Sequence, residues 1–135
     1  MLSEATDWLR ELERIRNEKR LTLSQTTEVY ELTGWLALLV SCLRYDRGDE
    51  RGAEPMHRLA LALGEELHSS AIVGWGDEIS AWMALTQGDL TGALGAVRVG
   101  LEAAKNAPVA VQLQAKPFSP PRMLPCSLYW NAWRL

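Results

Sequence analysis

The chain has little cysteine: Cys42 and Cys126 only, one in a helical run and one in a proline-rich tail. Spacing gives a disulfide between them no support, and both read as reduced thiols of a cytoplasmic protein. Long apolar runs are also missing. The longest, Leu36 to Leu43 with Ser41 inside it, is far too short to cross a bilayer, so no membrane association is expected. No basic segment followed by an apolar one opens the chain, so no secretory signal is expected. Nor is there a surplus of positive charge. Lys and Arg number 14 against 17 Asp and Glu, a net charge of −3, which argues against strong nucleic-acid affinity for the chain as a whole. Local basicity is confined to Arg10, Arg14, Arg16, Lys19 and Arg20, which alternate with Glu11, Glu13 and Glu18. A mixed-charge, solvated helix face accounts for such a run.

Catalytic and metal-binding patterns are absent too. His57 and His68 stand eleven residues apart, roughly 16 Å along a helix, too far to share a metal ion. Asp77-Glu78 and Glu65-Glu66 are adjacent acids, and adjacent helical residues diverge by about 100°, so they read as solvated faces rather than an acid–base pair. Ser69-Ser70 and Ser41-Cys42 have no visible base partner. Gly74 and Gly76 do not continue into a phosphate-binding glycine loop. The sequence therefore predicts no catalytic residue, no metal and no cofactor.

What the chain does contain is an internal repeat. Gly48-Asp49-Glu50-Arg51-Gly52-Ala53 returns forty residues later as Gly88-Asp89-Leu90-Thr91-Gly92-Ala93. At the same offset Gly34-Trp35 returns as Gly74-Trp75, Arg58 as Arg98 and Leu61 as Leu101. Agreement at one fixed offset marks a helical-repeat architecture. The expected fold is all-α: a short antiparallel helical-repeat stack, tetratricopeptide-like, within one domain's length of 135 residues.

Residues 1–21 are expected to hold an N-terminal helix capped by Ser3, with Trp8, Leu12 and Ile15 on one stripe. Residues 22–115 form the repeat domain, with units over about 34–67 and 74–107. Its first helix carries Val29, Leu32, Leu36, Leu39 and Leu43 at 3–4 spacing, widened by Trp35 and Leu38, as in a helix packed on more than one side. Thr33-Gly34 allows a break there. Gly48 and Gly88 suit the left-handed conformation that ends a helix, Asp49 and Asp89 suit the caps of the next, and Ala53 and Ala93 let paired helices approach. Met56, Leu59, Ala60 and Leu63 face inward in one unit, and Leu94, Val97 and Leu101 in the other. A short helix is expected over 109–115. Residues 116–135 form a tail in which Pro117, Pro120, Pro121 and Pro125 crowd into nine positions and no amphipathic period survives.

Gly48, Asp49, Ala53, Ala60 and Leu61, with Gly88, Asp89, Ala93 and Leu101, resemble the helix turn of tetratricopeptide repeats. More closely, Val29-Tyr30-Glu31-Leu32-Thr33-Gly34-Trp35-Leu36-Ala37, Tyr45-Asp46-Arg47-Gly48-Asp49 and the stretch from His57 to Gln112 resemble the C-terminal repeat region of actinomycete helix-turn-helix regulators of the Xre type. The likeness covers roughly residues 25 to 114. It implies a ligand-sensing or protein-contact module. Residues 9–16 and 21–25 are similar to the opening helix of the family's DNA-binding domain, but no recognition helix follows, and one is needed to reach base edges. The tail resembles the product of a truncated or frame-shifted gene.

Tyr30, Trp35, Tyr45, Trp75 and Trp82 are the candidate surface for a ligand or partner, because aromatics give flat apolar walls with a polar handle. Interhelix core is the favoured alternative for the tryptophans, with Trp75, beside two glycines, the one expected to be partly exposed. The expected function is non-enzymatic binding of a protein or small ligand, with self-association through an uncapped stack end. The alternative is a DNA-binding regulator using residues 8–25.

Overall fold

The computed structural model describes residues 1–103 and 105. The helix expected over 109–115 and the tail from 116, with Cys126, lie outside the described residues. The described chain is all-α. Five helices follow one another: α1 (Leu2–Glu18), α2 (Leu23–Asp46), α3 (Glu50–Glu66), α4 (Ser70–Thr86) and α5 (Leu90–Ala103). No strand occurs among the described residues.

Helix α1 starts two residues earlier than its sequence suggests, with Met1 rather than Ser3 at the N-cap and no side-chain cap bond. It packs mainly on α2, so only a narrow stripe is covered: Ala5 and Leu12 are buried. Trp8, on the flank of that stripe about 40° from Leu12 and about 60° from Ala5, is 58% exposed instead of facing inward. Lys19 turns extended and ends the helix.

Helix α2 opens with a capping box. The Thr22 hydroxyl accepts from the Gln25 N–H at 3.2 Å, and the Gln25 side-chain oxygen accepts from the Thr22 N–H at 3.0 Å. The helix then runs unbroken through Thr33-Gly34. Thr33 donates its hydroxyl to the Val29 carbonyl at 2.7 Å. Gly34 is buried, and a Cβ there would meet Ile72 Cδ1 of α4 at 3.0 Å, so this glycine serves a close approach rather than a break. Because α2 touches α1, α3 and α4, its second half is buried nearly all round: Ala37, Leu38, Val40, Ser41, Cys42 and Leu43. The expected stripe is displaced accordingly, and Leu32 is exposed.

The core joins Ala37, Leu38 and Cys42 of α2 to Ala60 of α3 and to Ile72, Trp75 and Ile79 of α4. Trp35, Trp82, Met83 and Leu101 pack against it half-buried. Full burial of a side chain such as Leu38 or Ile72 stabilises by roughly 1.5–3 kcal/mol.

Three turns punctuate the domain at intervals of twenty residues. Gly48 and Gly88 have φ of 79° and 78°. At the first, the Asp49 N–H reaches back to the Arg44 carbonyl and the Gly48 N–H to that of Tyr45, both at 2.9 Å. At the second, Asp89 and Gly88 bond Ala84 and Leu85 in the same way. This is the Schellman closure, which needs a left-handed residue after the cap. The next helix is then capped: the Asp49 and Asp89 carboxylates accept from the Gly52 and Gly92 N–H groups, each at 2.9 Å. Between them, the turn after α3 closes alike, His68 bonding Glu65 and Ser69 bonding Gly64, but its left-handed residue is His68, at φ 52°. Ser69 caps α4.

In the last helix Ala93 and Gly100 are buried and Val97 and Leu101 half-buried. Leu94, expected inside, is 62% exposed, because no described helix follows α5 to cover it.

Candidate functional site

Among the described residues the five aromatic candidates stand in different surroundings. Trp75 is 8% exposed and belongs to the core, contrary to the exposure its flanking glycines suggested. Gly74 and Gly76 are themselves buried, so they bring neighbouring helices close rather than opening the surface. Trp35 packs against the same core. Tyr45 and Trp82 meet edge to face, ring centroids 5.0 Å apart. The Tyr45 hydroxyl pairs with that of Thr86, which joins the end of α2 to the end of α4. The Trp82 ring N–H is buried without a hydrogen-bond acceptor among the described residues.

Tyr30 and Tyr45 line separate grooves. Tyr30 belongs to a groove of about 290 Å³ bounded by α1, α2 and α3. Its apolar surface comes from Leu9, Leu12, Val40, Met56, Leu59 and Leu63, and Arg10, Glu13, Arg16 and Arg44 add charge. Tyr45 belongs to a wider groove of about 440 Å³, with Glu50, Arg51, Glu54 and His57 of α3, Ser80 of α4 and Gln87 just after it.

His57 is the chemically specific residue that the sequence left as ordinary. It is buried, with Nε2 2.7 Å from the Gly76 carbonyl. A carbonyl only accepts, so Nε2 carries the proton and donates. Burial holds the imidazole pKa below its usual value of 6.5, opposed by the Gly76 bond and the Glu54 charge, and so favours the neutral ring. The Ser80 hydroxyl lies 3.1 Å from the same nitrogen and donates to Gly76 at 3.0 Å. A protonated Nε2 cannot take a proton from Ser80, so this geometry ties α3 to α4 and does not prepare a nucleophile.

The acids divide. Glu65 and Glu66 are exposed, as expected of a solvated face. Asp77, also read as solvated, is buried, and its Oδ2 has no hydrogen-bond partner among the described residues. Burial, assisted by the charge of Glu65, pushes its pKa up to about 6. Glu78 is half-buried and pushed up to about 7 by desolvation. Sequence carried one usable sign: both follow Trp75 in a helix whose remaining residues are mostly apolar.

On α1 the basic residues are engaged by neighbouring acids. Arg10 pairs with Asp7 at 2.7 Å, Arg14 with Glu11 and Glu18, and Arg16 with Glu13 at 3.8 Å. Among the described residues no group of three His, Cys, Asp or Glu side chains is arranged to hold a metal ion, and no helix is long and apolar enough to cross a membrane. Neither His57 nor His68 joins such a group. No family model, curated protein or solved structure matches the chain.

Proposed function

We propose that this chain is a non-enzymatic interaction module: a tetratricopeptide-like stack of antiparallel helices, akin to the repeat region of Xre-type regulators, that binds a protein or small ligand and associates with itself. One observation carries the reading. The segments 48–53 and 88–93 agree in glycine φ, in Schellman closure, in the aspartate cap and in the burial of Ala53 and Ala93. Two copies of one supersecondary unit produce that agreement.

Contacts between helices support opposite chain directions. On α2, Gly34 lies against Leu63 of α3 while Arg44 lies beside Gly52, so numbers fall on one helix as they rise on the other. The α3 residues Gly64 and His57 meet Val73 and Ser80 of α4 in the same falling order.

Self-association follows from α5. Leu90 and Leu94 are 65% and 62% exposed, and they stand forty residues after Glu50 and Glu54, which are also exposed. Apolar residues have replaced charged ones at the open end of the proposed stack, where a further helix is needed to cover them. Light scattering across a concentration series is expected to give a mass that grows with concentration. The double variant Leu90→Glu, Leu94→Glu is expected to remain monomeric with unchanged helical circular dichroism. A wild-type chain that stays monomeric throughout overturns the association.

Nothing favours the DNA-binding alternative over residues 8–25, since Arg10, Arg14 and Arg16 already pair with acids of their own helix.

A further inference from the structure

The lining of the groove bounded by α1, α2 and α3 is rich in cations, with Asp7 and Asp49, which pair with two of them, outside that lining. Three arginines line it, Arg10, Arg16 and Arg44, against the single acid Glu13, on a chain whose net charge is −3. An anion held there is held by the groove and not by the general field of the protein, which repels it. The remaining surface is chiefly aliphatic, with Leu12 and Val40 at its base and Met56, Leu59 and Leu63 along α3.

Arg44 is under-committed within this surface. Its Nη1 lies 3.4 Å from Asp49 Oδ2, beyond the usual length of a charge-assisted hydrogen bond. Its Nε is buried and meets no acceptor. A guanidinium offers five donors in a planar fork, shaped to take both oxygens of one carboxylate.

We propose that this groove binds a small amphipathic carboxylate, an aliphatic body ending in one anionic head, with Arg44 as the anchor of the head group. The inference rests on the reading of the chain as a binding module and names the ligand class. Because Nε is closed off from water, engagement takes a swing of the guanidinium away from Asp49 toward the groove. The long contact to Asp49, partly exposed to solvent, opposes that swing only weakly. Arg10 and Arg16, each tied to an acid on α1, add attraction at longer range. A volume of about 290 Å³ is at the lower limit of small-molecule pockets, which suits one compact ligand and excludes a peptide helix.

Calorimetric titration of the full chain with octanoate, octanol and octylamine tests the proposal. Octanoate is expected to bind more tightly than octanol by roughly ten- to a hundredfold, the range of one charge-assisted hydrogen bond. Octylamine is expected to bind least. Arg44→Gln, at a partly exposed site, is expected to keep the helical circular dichroism and to lower octanoate affinity to that of octanol. Leu59→Glu, at an exposed position on the groove wall, is expected to weaken octanoate and octanol. Equal affinity for octanoate and octanol, preference for octylamine, octanoate binding undiminished in Arg44→Gln, or no binding at all overturns the site. Any of these leaves the concentration-dependent association through α5 standing, so failure of the ligand site and failure of the module reading are distinguishable.

Discussion

At the scale of single residues, His68 carries the clearest strain. A side chain other than glycine in the left-handed region costs roughly 1–2 kcal/mol, while glycine there gives back part of that through its freedom in the unfolded chain. His68→Gly is therefore expected to stabilise by up to about 1 kcal/mol, seen as a higher urea midpoint with an unchanged slope; a lower midpoint would show that the imidazole makes a contact worth more than the strain. Asp77 gives a pH-dependent case. Its unfolded carboxyl loses its proton near 3.8 and its folded one near 6. The folded state thus holds the extra proton, and the favourable neutral form is present at acid pH and lost as pH rises from about 4 through about 6. Glu78 acts in the same sense between 4.5 and about 7. Asp77→Asn is expected to raise the melting temperature at pH 8 and to raise it less at pH 4. Equal gains at both would place the cause elsewhere than in the buried charge. The sequence showed neither Ser69 as a cap nor His68 as a left-handed residue, because histidine does not advertise positive φ as glycine does.

Helices supply a pair of opposed expectations. A Cβ on Gly64 would sit 2.9 Å from Val73 Cγ2 and 3.2 Å from the Val73 backbone nitrogen, where α3 and α4 close on each other. Gly64→Ala is expected to destabilise by about 1–3 kcal/mol through overpacking, more than the roughly 1 kcal/mol that alanine gains in helix propensity. Gly95 has nothing within 4 Å, so Gly95→Ala is expected to stabilise by about 1 kcal/mol. Denaturant melts of both variants check the signs. Helix limits were legible because they are written in local chemistry: Gly48, Asp49, Gly88 and Asp89 act within a few residues of themselves. Helix faces were less so. Trp8 and Leu94 lie outside and Trp75 inside because a face is defined by how many neighbours a helix acquires, which periodicity along one helix does not record. The grooves were illegible for the same reason, and Tyr30 and Tyr45 are divided between two of them.

For the whole molecule, charge sets the expectation toward DNA. With a net charge of −3 and three α1 arginines engaged by acids, only weak, salt-sensitive association is expected in a gel-shift titration. Saturable, sequence-dependent binding at nanomolar protein would promote the regulator that acts through residues 8–25.

Each helix touches mainly the helices before and after it in the chain, α2 with α4 being the one further pairing of note. Few distant segments have to find one another, and closing a connection of three residues costs little chain entropy. Folding is thus expected to be quick, within the microsecond-to-millisecond range of helical proteins with local contacts. Its order is set by the same pattern: α2, gripped from three sides, is expected to show the slowest amide exchange, and α1, held mainly by α2 along a narrow stripe, to exchange faster.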